Sequence, residues 1–297
     1  MSCDFLTLEE VKELSSSSYS DSLTMKLYDS TVDYITQNLG HSFGLGLRIW
    51  HDGTAAVTAT FSYVITVTST RIKLKTSHPA AEFTLLFADY PTLRELAAAI
   101  SNRTGGANAG WEAVVAYERY TELSSSYLAA TVVTQEAVAT GNTGYGYRKV
   151  LCLDMFCETL SGNGESRLFF SMPIAMISSV IEDGTVLTEG ATDGFWAKRS
   201  LGVLIRGGST GSQFSKYATS CWSVRAPNNV TLVYLPTWFT VRPAAITSAI
   251  QGLMILAMST SGYQSEKIGD YSYVKDGKSA LMWLMTLDSY TAPLSIF

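Results

Sequence analysis

Apolar residues recur along this chain first at helical spacing, then in strict alternation, and at its far end at helical spacing again. Thr7-Leu8-Glu9-Glu10 has capping-box form, the Thr hydroxyl serving one orphan N–H and Glu10 reaching back to another. Leu8, Val11 and Leu14 then line one face of a short helix, which Ser15 to Ser18 end. Ser20 or Asp21 caps a second helix bearing Leu23, Leu27, Tyr34, Ile35 and Leu39, and Gly40 stops it.

Beyond Gly40 the period changes to two. Val57, Ala59, Phe61, Tyr63, Ile65 and Val67 alternate with mostly hydroxyl-bearing neighbours, the signature of a half-buried strand. Ile72 and Leu74 suggest its hairpin partner, and Phe83, Leu85 and Phe87 a third strand. Thr92 and Glu95 stand in capping-box register ahead of Leu93, Leu96, Ala97 and Ile100. A Gly/Asn-rich turn over Asn102 to Gly110 precedes strand-like runs at Trp111 to Tyr117 and Tyr127 to Val133. The pattern predicts an α+β module over 50–144, inserted into a core made of 1–49 and 145–297.

The remainder reads as strands and then helices. Arg148 to Thr159 and Arg167 to Ser171 are joined by Ser161-Gly162-Asn163-Gly164, and Ile174 to Ile181 runs into the turn Glu182-Asp183-Gly184-Thr185. Val203 to Arg206 and Val230 to Tyr234 add two strands. Pro243 suits the first turn of a helix carrying Ile246, Ile250, Leu253, Met254 and Ala257, and Asp276 caps a last helix with Leu281, Leu284 and Met285. The expected fold class is α+β: an N-terminal helix pair, a β-rich middle and C-terminal helices, with the small inserted module.

Composition adds one fact of weight. Only 16% of the 297 residues are charged, against roughly 25% in ordinary soluble proteins, while 46% are hydrophobic. Such a surface suits either a permanent protein interface or a Ser/Thr-rich β protein. The net charge of −5 and the absence of a long basic run argue against a phosphate-gripping nucleic-acid binder. Arg71-Ile72-Lys73-Leu74-Lys75 and Ala197-Lys198-Arg199 are the densest cationic stretches and read as solvated edges. No signal peptide is expected at the N-terminus, and Ile246 to Met258 falls short of the ~20 apolar residues of a membrane span. Cys3, Cys152, Cys157 and Cys221 match neither a zinc site nor a disulfide framework, so reduced thiols and a cytosolic origin are expected.

No catalytic chemistry emerges. Three histidines, His41, His51 and His78, are scattered, and no HExxH, CxxC or G-x-S-x-G is present. Gly207 to Ser212 lacks the Lys of a phosphate loop. Glu9-Glu10 and Glu182-Asp183 sit where capping and turn formation explain them, and the six tryptophans are dispersed as core anchors are. We expect no catalytic residue, cofactor or metal.

Several ordered segments carry a resemblance. Tyr34-Ile35 to Gly40 is similar to a "YI…G" helix ending, and Pro173-Ile174 to Val180 to a "P-P-I-x-S-V" strand followed by Asp183-Gly184. Asn229 to Tyr234 and Val241-Arg242-Pro243-Ala244-Ala245-Ile246 follow in order, and Ser265-Glu266-Lys267-Ile268-Gly269-Asp270-Tyr271-Ser272 looks like "S-E-x-I-G-D-Y-S". Together they resemble the head–tail connector (adaptor) family of long-tailed bacteriophages. The chain departs from that pattern in its 50–144 insertion and in Leu235-Pro236-Thr237-Trp238, which replaces a Gly-rich bend.

The resemblance implies a structural virion protein of the neck, made in the host cytoplasm. It implies a ring, twelve subunits in most members, that joins the portal protein to a head-closure or tail-terminator protein. Genomic DNA would pass through without specific binding, and no membrane is involved. It further implies portal contact through the C-terminal residues Pro293, Leu294, Ile296 and Phe297, and subunit or neck contacts at Ile268, Tyr271 and Tyr273. A head-closure or tail-completion ring is the alternative of the same class, and a soluble carbohydrate-binding β module that of another. Pro293 cannot continue a helix, so the tail is expected to be extended. Deleting Leu294 to Phe297 should leave a folded subunit that no longer attaches to portal-bearing heads. Normal attachment in a head-binding assay would end that role.

Overall fold

The computed structural model describes residues 4–14, 19–53, 60–77, 80–103, 109–139, 144–207, 220–259, 265–268, 271–274 and 287. The chain is a mixture of helices and several separate sheets. Along it run α1 (Leu8–Leu14), α2 (Asp21–Leu39), β1 (Leu45–His51), β2 (Thr60–Val67), β3 (Arg71–Thr76), β4 (Ala81–Leu86) and α3 (Leu93–Ser101). Then come β5 (Trp111–Val115), β6 (Thr131–Ala139), β7 (Lys149–Cys152), β8 (Phe156–Leu160), β9 (Arg167–Phe169), β10 (Ile174–Glu182) and β11 (Thr185–Leu187). Last are β12 (Phe195–Lys198), β13 (Val203–Arg206), β14 (Val230–Pro236), α4 (Thr237–Thr240), α5 (Ala244–Ser259), β15 (Ser265–Ile268) and β16 (Tyr271–Val274).

Local signals act where the sequence places them. Glu10 accepts the Thr7 N–H at 2.7 Å while the Thr7 hydroxyl accepts from Glu10 N at 3.2 Å. Ser20 caps α2, and Gly40 ends it in the left-handed conformation that costs a glycine little. The Thr92–Glu95 capping box starts α3, whose Leu93, Leu96, Ala97 and Ile100 are buried.

Two compact units divide the chain. The first takes the chain up to Cys152 and resumes at Pro243; the second is Leu153–Arg242. This corrects the expected division into a 50–144 insert and a 1–49/145–297 core. β1, from before the expected boundary, lies between β5 from inside the insert and β7 from beyond it, antiparallel to both. A strand paired on both sides across a boundary fuses what it joins.

The first unit holds the three-stranded sheet β5-β1-β7 and the all-antiparallel sheet β4-β3-β2-β6, with α1, α2 and α5 packed together. The second joins β11-β10-β14-β8 and β12-β13-β9 through one hydrophobic cluster, in which Ile174, Val180, Leu232 and Tyr234 meet Leu168, Phe195, Leu204 and Trp222. Asp183 and Gly184, at φ 49° and 78°, make the tight turn between β10 and β11. The run Arg148 to Thr159, expected as one strand, is two, β7 and β8, which belong to different sheets.

The expected apolar stripe of α2 is also corrected. Leu23 and Tyr34 are exposed, whereas Met25, Tyr28, Asp29, Val32, Ile35, Thr36 and Leu39 are buried. The buried Asp29 explains the rotation. Its carboxylate accepts from Nε and a terminal nitrogen of Arg148 and from the Tyr145 hydroxyl, and stands 3.4 Å from Arg48 Nε. Arg148 also donates to Asp4, whose other oxygen takes the Tyr28 hydroxyl at 2.7 Å. Arg48 makes a forked pair with Asp33, at 2.6 and 3.2 Å. Burial opposes the Arg148 charge, yet Asp4 and Asp29 outweigh it and hold its pKa well above the usual arginine value.

Cysteine chemistry departs from expectation too. Cys152 is disulfide-bonded, Cys157 and Cys221 are in the thiol form, and Cys3 lies outside the described residues. Asp276, Leu281, Leu284 and Met285 of the expected last helix also lie outside them.

Removing one member of a buried, hydrogen-bonded ion pair leaves the other charge uncompensated. Asp29→Ala should therefore lower unfolding stability by about 3–5 kcal/mol, far more than Asp33→Ala, whose carboxylate is partly exposed. Chemical denaturation of the two variants checks this; equal losses would remove Asp29 from its central place.

Candidate functional site

The carboxylates of Glu158 and Glu182 in the second unit hold its connections in place, while the indole N–H groups of Trp196 and Trp222 are buried with no hydrogen-bond partner among the described residues. Glu158 on β8 accepts the Ser171 N–H and hydroxyl and, at 3.1 Å, the Tyr234 hydroxyl. Burial pushes its pKa up despite these donors. Because Ser171 gives both backbone and side chain to one carboxylate, the pair clamps the β9–β10 connection onto β8. Glu182 accepts Arg206 Nε and the Ser223 N–H, each at 2.7 Å. Arg206 in turn donates to the carbonyls of Asp193 and Gly194. The Asn229 amide donates to Asp183 at 3.0 Å and to the Ser223 carbonyl at 2.8 Å, and its oxygen accepts from Gly162 N. At Gly162 a Cβ would lie 1.8 Å from the Ser223 carbonyl oxygen, so only glycine fits.

His51, at the end of β1, is walled by Phe61 and Trp111, with ring centroids 4.6 and 5.1 Å away. Its Nδ1 accepts the Gly53 N–H at 2.9 Å. Burial lowers its pKa, and Asp52, 3.8 Å away, acts in the opposite direction. Among the described residues no group of three His, Cys, Asp or Glu side chains is placed to hold a metal ion. Among the same residues no helix is long and apolar enough to cross a membrane.

Among the described residues, clefts indent the first unit. One of about 470 Å³ is lined by Asp33, Gln37, Arg48, Arg94 and Tyr117 among others, but Arg48 is paired to Asp33 and Arg94 to Glu122. Another, of about 520 Å³, runs between the N-terminal segment Asp4–Glu10 and Thr134, Gln135, Glu136 and Val138 of β6, with Lys149 in its lining.

Large apolar side chains are exposed on both units, Leu23, Tyr34, Leu86, Val114, Val132 and Ile255 among those of the first. Exposed large side chains include Phe169 (62%), Met176 (47%), Val186 (66%), Leu201 (65%), Val224 (68%) and Val241 (65%), all in the second unit. Of the residues singled out from sequence, Ile268 and Tyr271 are Cα partners in the β15–β16 hairpin and Tyr273 pairs with Glu266. Pro293, Leu294, Ile296 and Phe297 lie outside the described residues. Sequence reasoning missed the apolar set on the second unit, because each member sits singly among polar neighbours. It also missed the buried arginines, although Gly46-Leu47-Arg48-Ile49 and Arg148-Lys149-Val150-Leu151 embed a cation in an apolar strand.

No protein-family model matches this chain, and a search of curated proteins finds no significant match.

The pH dependence of stability follows from His51. Its folded pKa lies below the unfolded value near 6.5, so the unfolded chain takes up a proton that the folded one refuses. Stability from this group is complete above pH ~6.5 and falls as pH drops below it. Denaturation midpoints between pH 8 and 5 should decline on the acid side, and His51→Phe should flatten that decline. An unchanged slope in the variant would assign the effect to another group.

Proposed function

We propose that the chain is a structural, non-enzymatic subunit of a tailed-phage neck: a head-to-tail adaptor that forms a ring between the portal and the next neck protein. The observation that carries this reading is the apolar surface of the second unit. Six exposed large apolar side chains there, from Phe169 to Val241, accompany carboxylates, Glu158 and Glu182, that are engaged in clamps. Surface of this kind is stable in water when a permanent partner covers it.

The segments behind the family resemblance support the reading by falling on elements of the expected kind. Tyr34 to Gly40 is the end of α2, Ile174 to Val180 lies in β10, and Val230 to Tyr234 is β14, hydrogen-bonded to β10. Val241 to Ile246 enters α5, and Ser265 to Val274 spans the β15–β16 hairpin. Trp111 and Trp222 are each 1% exposed and so unavailable for stacking on sugars, whereas Trp50, Trp196 and Trp238 are half-buried. The balance of −5 suits a channel that lets DNA slide.

Negative-stain microscopy and sedimentation across a concentration series test the proposal. Closed rings much heavier than the 32.3 kDa chain are expected, and antibody labelling should decorate the neck of the virion. A monomer at every concentration, or label absent from the neck, would sink it.

A further inference from the structure

Hydrogen-bond parity in the sheet β4-β3-β2-β6 shows what its edges offer. Thr68 N bonds Arg71 O at 2.9 Å across the β2–β3 turn, and Ser77 N bonds Ser62 O at 3.0 Å at its other end. The bonded pairs between them are Thr66–Lys73 and Val64–Lys75. On β2 this leaves Tyr63, Ile65 and Val67 to bond Gln135, Val133 and Thr131 of β6. Val132 and Thr134 therefore direct their backbone groups away from the sheet. On the other side Ile72, Leu74 and Thr76 bond Leu85, Phe83 and Ala81, so Glu82 and Thr84 of β4 direct theirs outward. Among the described residues no strand pairs with either edge.

Four antiparallel strands make the two edge strands antiparallel to each other. A second copy in the same orientation, displaced sideways, thus brings its β4 against β6 with the antiparallel sense of every other junction in the sheet. The faces agree as well. Val132, Thr134, Glu82 and Thr84 all have exposed side chains, and Val133, Phe83 and Leu85 are buried, so joining the edges continues each face into its counterpart.

We propose that β6 of one copy pairs with β4 of the next, so that the sheet runs on through the subunit junction. This deepens the ring reading and rests on it; the contact is heterologous, as a cyclic assembly requires. Thr84 lies opposite Thr134 and Leu86 opposite Val132, which covers side chains 45% and 60% exposed in the single chain. Glu82, held by Lys73 at 2.8 Å, reaches the end of β6 where Glu136 and Lys149 line the cleft. Glu82 thus falls opposite Glu136, whose charge and that of Asp4 and Glu9 already act on Lys149, so the junction is limited to the Thr84–Leu86 end.

Two variants of the full chain test this. Thr84→Cys combined with Thr134→Cys should give, on oxidation, a ladder of disulfide-linked multimers absent from each single variant and from the wild type. Val132→Pro removes only an outward N–H, which an edge strand tolerates. It should keep its circular dichroism and raise the concentration for half-assembly ~tenfold or more. Rings that form without a ladder, with Val132→Pro assembling normally, would overturn the edge pairing and leave the ring reading intact. A wild type that is monomeric at every concentration overturns both.

Discussion

The Asp29 carboxylate is the point on which the first unit turns. Taking a carboxylate and a guanidinium out of water costs several kcal/mol each, and only close, saturating geometry offsets it. Asp29 receives two Arg148 nitrogens and the Tyr145 hydroxyl, and faces Arg48 as well. Those groups come from a helix, a central strand and the connection before β7, so each must be in place before the charges balance. This fixes the rotation of α2. Turning it to bury Leu23 and Tyr34 would expose Asp29 and strand Arg148 in the interior. The turn would also expose Met25, Tyr28, Val32 and Ile35, so burying Leu23 and Tyr34 brings no net apolar gain to set against that loss. Polar pairing here selects one packing among those that hydrophobicity alone permits.

The same commitment bears on the charge-poor surface. Asp29, Arg48, Arg148 and Glu182 are buried, so part of the 16% charged residues never reaches solvent. In the second unit, carboxylates hold loops and strand connections while large apolar side chains face outward.

How much of this the sequence displayed depends on how local each cause is. The capping boxes at Thr7 and Thr92, the Gly40 stop, the Asp183-Gly184 turn and the alternation from Phe61 to Val67 are written in adjacent residues, and all are found. β1 escaped although Leu45, Leu47 and Ile49 alternate, because the run is short and holds Gly46 and Arg48, whose burial on the second face has no local signal. β7 and β8 fused in the reading because Leu153-Asp154-Met155 between them contains no Gly or Pro to signal a break. The unit boundary was misplaced for a related reason: the Gly/Asn stretch near 141–144 punctuates the chain, but only pairing through β1 decides which parts fold together. The Asp29 site is the least local feature, since its partners lie 19 to 119 residues away.

Edge strands are where a subunit must choose between solubility and assembly. In β6 the register slips between Phe61 and Tyr63, leaving Glu136 and Ala137 against a single β2 residue, and such a bulge interrupts pairing. The opposing edge carries Glu82 at the corresponding end. Charge and bulge thus blunt one end of each edge, while the other end presents Thr84, Leu86, Val132 and Thr134, with neither charge nor bulge. A sheet blunted all along would be monomeric, and one open all along would slide through many registers. Blunting at one end and openness at the other admits a short antiparallel junction in a narrow set of registers. A ring of the proposed kind would need that junction repeated with a fixed rotation, which a sliding register would not give.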